Sequence, residues 1–235
     1  MLEAVLFDWG DTLMRWSWEP ELLAAGHEAG LRALGREPLA ELTERFRTTY
    51  LPLMFAPGAV EEVEYPGLVR RLLAESRIEA GDEDLGRFLE AEHAAWAPAR
   101  QLGDTTHALL ESLRDRGLKV GLVSNAFDPP ALLRRDLEQL GVAERLDVAI
   151  FSSEIGRRKP DPAIFEHALE ALGVDAGRTL FVGDTLATDV AGAAALGMHT
   201  CQAVWFRADD DPEGPEPDFQ AFTQMDVITV VKRLA

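Results

Sequence analysis

Cysteine is nearly absent from this chain: its 235 residues contain one, Cys201. A single thiol excludes an intrachain disulfide, a CxxC redox pair and a thiolate zinc cage. Lysine is almost as scarce, with only Lys119, Lys159 and Lys232, none of them between residues 15 and 98. No apolar run approaches the roughly 20 residues needed to cross a bilayer, so no membrane association is expected. The first residues, MLEAVLFDWG, carry an acid at position 3 and no basic leading region, so a secretory signal is not expected either. Positive charge is in deficit: 23 Lys and Arg against 41 Asp and Glu leave a formal net charge of −18. Such a surface repels a polyphosphate backbone and argues against a nucleic-acid partner, whereas a local cationic site can still hold a small anion. With 47% hydrophobic and 27% charged residues the composition is that of an ordinary globular protein with a sizeable core, and a cytoplasmic location is expected.

What is present is a recurring alternation. Short apolar runs at 2–7, Leu118–Val123, Leu146–Phe151 and Thr179–Val182, with a weaker one at Thr200–Trp205, have the look of strands buried on both faces. Between them lie helical patterns with their own boundaries. Leu109, Leu110 and Leu113 share a face before Gly117; Leu132, Leu133, Leu137 and Leu140 repeat at helical spacing up to Gly141; and Asp161-Pro162 opens a helix that Gly173 closes. Strands alternating with helices predict an α/β fold with right-handed βαβ units on a parallel sheet. The interval 15–98 differs. It is rich in Glu, Arg, Ala and Leu, is cut by Pro20, Pro38, Pro57 and Pro66, and predicts about four helices inserted between the first two strands. The acidic stretch Arg207–Asp218 contains three prolines and predicts a solvated loop.

In an open parallel sheet, ligands bind beyond the carboxyl ends of the strands. The first strand ends in Asp8-Trp9-Gly10-Asp11-Thr12 and the second in Ser124-Asn125; Gly156 to Pro160, with Lys159, follows the third, and Gly183-Asp184 ends the fourth, with Asp189 five residues on. Carboxylates, a hydroxyl and a lysine on one edge are the groups that hold a divalent metal and a phosphoryl group.

The segments FDWGDTL at 7–13, LVSN at 122–125, RRKPDPAIF at 157–165 and FVGDTLATD at 181–189, in this order and each after a predicted strand, resemble the haloacid dehalogenase superfamily of hydrolases. The likeness covers about 1–14 and 99–208. It implies a Rossmann-like parallel sheet core, residues 1–14 and 99–235, with an inserted helical cap domain at 15–98. It also implies a magnesium-dependent phosphatase acting on a small phosphorylated metabolite. In that reading Asp8 is the nucleophile that forms an aspartyl-phosphate. Asp184, Asp8 and the backbone carbonyl of Gly10 bind Mg2+, supported by Asp189. Ser124, together with the backbone N–H groups near Asn125, binds phosphoryl oxygens, and Lys159 neutralises charge on the nucleophile and the transferring group.

One position departs from the pattern. Phosphatases of this superfamily carry a second Asp two residues after the nucleophile as general acid and base. Here that position is Gly10, with an acid one residue later at Asp11. In an extended segment that shift turns the side chain to the opposite face. Two readings follow: Asp11 bends in to act as the acid/base, or the enzyme prefers substrates with good leaving groups. The phosphonoacetaldehyde-cleaving branch also lacks the second Asp, but it needs a cap lysine, and 15–98 has none. Two further alternatives stand beside the phosphatase: a metal-independent 2-haloacid dehalogenase using the same Asp8, for which Gly10 is harmless, and a non-catalytic protein that binds a phosphate ligand. Trp9, Trp16 and Trp18 either line the entrance to the site or pack in the core and hinge.

Overall fold

The computed structural model describes residues 1–56, 58–206 and 214–234. Among the described residues eight strands form, namely β1 (Ala4–Phe7), β2 (Met14–Trp16), β3 (Arg100–Leu102), β4 (Lys119–Ser124), β5 (Val148–Phe151), β6 (Thr179–Gly183), β7 (His199–Ala203) and β8 (Phe219–Ala221). Six of them make one sheet in the order β5-β4-β1-β6-β7-β8, with every pairing parallel. This is an α/β, Rossmann-like sheet. β1 lies at its centre between β4 and β6, which is why all four of its residues are buried and why its sequence is apolar without alternation.

Helices α1 (Pro20–Ala33), α2 (Ala40–Arg45), α3 (Leu51–Met54), α4 (Tyr65–Glu75) and α5 (Asp82–Ala95) lie between β2 and β3. The remaining helices, α6 (Thr106–Arg114), α7 (Pro130–Gln139), α8 (Ser152–Ile155), α9 (Pro162–Leu172), α10 (Ala191–Ala195) and α11 (Asp226–Leu234), belong with the sheet. On one face, Leu109, Leu113, Leu137 and Val227 pack over Val5, Phe7 and Val120; on the other, Ile164, Phe165 and Ala193 cover Leu6 and Phe181. None of the helices among the described residues is long and apolar enough to cross a membrane.

The segment between β2 and β3 has a hydrophobic cluster of its own, with Phe46, Tyr65, Leu72, Phe88 and Trp96 at its centre. The four or so helices expected here are three long ones, α1, α4 and α5, and a broken run over 40–54 in which a π-helical turn (Phe46–Tyr50) joins α2 to α3. α1 approaches α5 closely because Gly26 and Gly30 face it: a Cβ on Gly30 would sit 2.6 Å from the Phe88 ring. Two three-residue strands, β2 and β3, pair antiparallel and carry the chain out of the sheet and back. The acidic stretch at 207–218 lies largely outside the described residues; its last member, Asp218, accepts from the Thr200 N–H at 2.9 Å beside β7.

His93, on α5, ties this segment to the sheet domain. Its Nδ1 lies 2.9 Å from Asp128 Oδ1 and its Nε2 2.9 Å from Asp136 Oδ2 on α7. Arg100 of β3 reaches Asp136 with Nε at 3.2 Å and donates to the His93 carbonyl at 2.8 Å. Nearer the sheet edge, Glu62 meets the Ser152 hydroxyl in a short contact, and the Arg158 N–H donates to the Val60 carbonyl at 2.9 Å.

Candidate active site

The carboxyl ends of β1, β4 and β6 are adjacent because those strands are neighbours, and the parallel register brings their last residues to one height. Asp8 follows β1 directly, its N–H donating to Val182 of β6 at 2.9 Å, and its side chain is buried. Ser124 closes β4 and is likewise buried; Asp184 follows β6 and is half-buried. Lys159 arrives from the loop after α8. Its Nζ makes a short contact with Asp8 Oδ1 and lies 2.7 Å from Asp189 Oδ1.

This ammonium is buried, and burial works against its charge; Asp189 and Asp8 outweigh that effect and raise the Lys159 pKa. Burial pushes Asp8 the other way, up to about 6, with Lys159 opposing the rise. At neutral pH the pair is therefore an ammonium and a carboxylate.

Asp189 is held by the helical turn Leu186–Val190 in which it lies. Its Oδ2 accepts the Thr185 N–H at 3.0 Å, and its own N–H donates to the Thr185 carbonyl at 2.9 Å. Gly183 makes room for it: a Cβ there would stand 2.5 Å from the Asp189 carboxylate. Asp8, Asp184 and Asp189 each place a carboxylate oxygen within 4.8 Å of the others. Hard oxygen donors without a sulfur or imidazole suit Mg2+ better than a softer ion. The residues present fit a divalent cation.

Asn125 has a role that its sequence context does not announce. Its side chain clamps the Lys159 backbone, accepting the N–H at 2.7 Å and donating to the carbonyl at 3.1 Å. Its amide is thus spent on orienting the lysine. Asp11 departs from the expectation for an extended segment. Its φ is +51°, a left-handed conformation in which alternation between faces does not apply, and it lines the same cleft as Trp9, Gly10, Ser124 and Asp184. One of its oxygens accepts the Trp16 N–H at 3.0 Å. Gly10 is not required by crowding, since a Cβ there would meet nothing within 4 Å.

The cleft has a volume of about 310 Å³, and several of its walls come from residues that sequence reasoning missed: Glu62, Arg100, Phe127, Asp128 and Asp136. Arg158 is half-buried there and donates to the Met54 carbonyl at 2.5 Å. Trp9 is buried in the sheet core and also lines the cleft, so both placements expected for it hold at once.

The profile of the haloacid dehalogenase-like hydrolases matches residues 2–197. The chain belongs to this hydrolase family. Among relatives of this hydrolase, a pyrimidine 5'-nucleotidase of Escherichia coli is 37% identical over 113 residues, 47% of this chain and 48% of that protein, so the chain spans about half that relative's length. A phosphoserine phosphatase of Thermus thermophilus is 33% identical over 193 residues, 80% of this chain and 72% of that one. Among solved structures, a 2-haloacid dehalogenase of Pseudomonas syringae superposes on the hydrolase with a TM-score of 0.70 at 27% identity, covering 100% of both chains.

Proposed function

We propose that this hydrolase is a magnesium-dependent phosphatase that cleaves a small phosphorylated metabolite through an aspartyl-phosphate on Asp8, in the cytoplasm. The observation that carries the reading is Lys159 between Asp8 and Asp189 with the Asp184 carboxylate beside them. A 2-haloacid dehalogenase needs the nucleophile and a cation, but it has no use for three converging carboxylates.

In this account an Asp8 oxygen attacks phosphorus while the ester oxygen leaves with the substrate's alcohol. Water then attacks the acyl phosphate, giving inorganic phosphate and restoring the Asp8 carboxylate. Splitting one hard displacement into two lowers each barrier. Lys159 orients the Asp8 oxygen and offsets charge that builds on the phosphoryl oxygens, and Asn125 fixes the lysine backbone so that this contact survives turnover. Ser124 and the neighbouring backbone N–H groups hold the phosphoryl oxygens. Asp8, Asp184 and the Gly10 carbonyl would hold Mg2+, with Asp189 in support. When bound, the ion would neutralise the carboxylates and stabilise negative charge on the transferring group. Asp11 lines the cleft, but one of its oxygens is committed to the Trp16 N–H, so of the two readings of Gly10 the one favoured is a preference for good leaving groups. Residues 15–98 act as the cap that covers the cleft and excludes water, leaving 1–14 and 99–235 as the catalytic core.

The test is phosphate release from p-nitrophenyl phosphate and a panel of alkyl and sugar phosphates, with Mg2+, with EDTA and with Asp8→Asn. The proposal expects release that needs Mg2+ and falls at least a thousandfold in the variant. Full release in EDTA would overturn the metal role. No release from any ester, with halide set free from 2-haloacids, would favour the dehalogenase. Saturable phosphate-ligand binding without turnover, retained in Asp8→Asn, would indicate a binding protein.

A further inference from the structure

Resting on the phosphatase reading, we propose that the substrate's leaving group is an uncharged aromatic one, and that it is received by an aromatic pocket between residues 15–98 and the sheet edge. Beside the catalytic cleft lies a cavity of about 390 Å³, within the about 300–1,000 Å³ range of small-molecule sites. Among the described residues its lining contains no charged side chain. Trp16, Trp18, Phe46, Tyr65, Trp96 and Phe127 supply most of the wall, and the rest is aliphatic apart from the ring of Phe55.

The polar ends of the buried rings are already satisfied by the protein. The Tyr65 hydroxyl donates to Glu92 Oε2 at 2.8 Å, and Trp96 Nε1 donates to the Leu22 carbonyl at 2.9 Å. Glu92 is itself buried and is not among the residues that line the cavity, and burial raises its pKa well above the ordinary value. A carboxylate or ammonium on the leaving group would lose its hydration there and find no partner, an unfavourable exchange. An aromatic ring would meet other rings at the edge-on and offset distances that they favour. Trp16 and Trp18 already stack with centroids 5.8 Å apart, and Tyr65 and Phe127 approach to 4.8 Å.

The pocket and the cleft adjoin. Trp16, Phe55 and Phe127 line both, and the Trp16 N–H is the donor to Asp11. A phosphate held at Ser124 and Lys159 would therefore place its ester group toward the rings. This choice also agrees with Gly10: an aryl oxyanion leaves with less help from a proton than an alkoxide does, so a site without the usual acid suits it.

Two measurements separate this inference from the phosphatase reading. The first is calorimetric titration of the wild-type hydrolase with 2-naphthol, which needs no catalysis. The second is the ratio of kcat/KM for 2-naphthyl phosphate to that for phenyl phosphate, whose leaving groups have similar acidity, alongside phosphoserine and phosphoglycolate. The expected results are saturable 2-naphthol binding, a preference of at least tenfold for the two-ring ester over the one-ring ester, and a larger preference over both charged substrates. Trp18→Gln, and Phe55→Glu at an exposed rim where misfolding is not a concern, should each reduce the two-ring preference at least threefold. Naphthol binding without any phosphate release would sink the phosphatase reading and keep the pocket. Phosphate release with no two-ring preference and no naphthol binding would overturn the pocket. A stable dimer whose pocket tryptophans are shielded from acrylamide, and which binds no naphthol, would assign the cavity to a second copy of the chain and overturn it as well.

Discussion

Lys159 sits between Asp8 and Asp189, two carboxylates that would repel each other in its absence, and Asn125 holds the lysine by its backbone. Removing the ammonium would leave uncompensated buried charge, so Lys159→Ala is a poor probe of chemistry. Gly10 is a better one, because a Cβ at that position meets nothing within 4 Å. Gly10→Asp should place an acid where the superfamily's phosphatases carry one. General acid catalysis contributes about 10²- to 10⁴-fold, so the variant is expected to raise kcat on an alkyl phosphate at least tenfold. It should change p-nitrophenyl phosphate turnover less than twofold. Equal or lower activity on both would mean that Asp11 already fills the role or that the cleft rejects the new carboxylate. Asp8, Ser124 and Asp184 were legible in the sequence because each stands at or just beyond a strand end, and Lys159 and Asp189 because they lie in the segments RRKPDPAIF and FVGDTLATD. Glu62, Arg100 and Phe127 were not, since tertiary packing alone brings them to the cleft. The same holds for Asn125: its position was legible, but its clamp on Lys159 spans 34 residues.

α5 and α1 each bury a histidine, and the two histidines respond to pH in opposite senses. His93 faces Asp128 and Asp136 with both ring nitrogens, and these carboxylates overcome burial to raise its pKa. Its contribution is full below about pH 6.5 and is lost as pH rises through its folded-state pKa. His93→Ala leaves two poorly hydrated carboxylates with Arg100 alone and should cost about 3 kcal/mol. For a chain of this size that is a fall in Tm of about 6–12 °C, and a change under 2 °C by calorimetry would show that the link between α5 and α7 is not stabilising. His27 is buried among Phe46, Phe88 and Glu92 and lacks a carboxylate strong enough to hold a proton, so burial lowers its pKa from 6.5 to about 4. The folded state resists protonation, so stability is full above pH 6.5 and falls by about 3 kcal/mol as pH drops to about 4. His27→Gln should flatten that acid limb between pH 6.5 and 4.5 in thermal melts, whatever its effect at neutral pH. An unchanged limb would place the titration elsewhere. At this scale legibility followed locality. α9 was readable at both ends because Asp161 accepts the Ala163 N–H at 2.9 Å and Gly173 turns left-handed at φ +61°. The β2–β3 ribbon was not: each strand has three residues, too few for a periodic signal, and they pair across most of the inserted segment. β8, also three residues long, was missed for the same reason.

For the molecule as a whole, a net charge of −18 opposes the approach of any phosphate ester. Two of the arginines lining the cleft do not counter it at a distance, because Arg100 is paired with Asp136 and Arg158 lies 3.7 Å from Glu62. Raising ionic strength from about 0.01 M to 0.15 M shortens the Debye length from about 30 Å to about 8 Å. This removes the distant repulsion and spares the contacts within the site. At constant free Mg2+, kcat/KM for a dianionic ester should therefore rise by about two- to fivefold over that range; a fall would mean that the local cations dominate the approach. The central claim, that Asp8 carries the phosphoryl group, is tested most directly by a rapid acid quench with substrate labelled in its phosphate. Peptide mapping then locates the bound label. The account predicts label on the peptide containing Asp8, released by hydroxylamine and absent in Asp8→Asn. Catalytic turnover with no label on Asp8, under conditions where a phosphate burst is resolved, would contradict it.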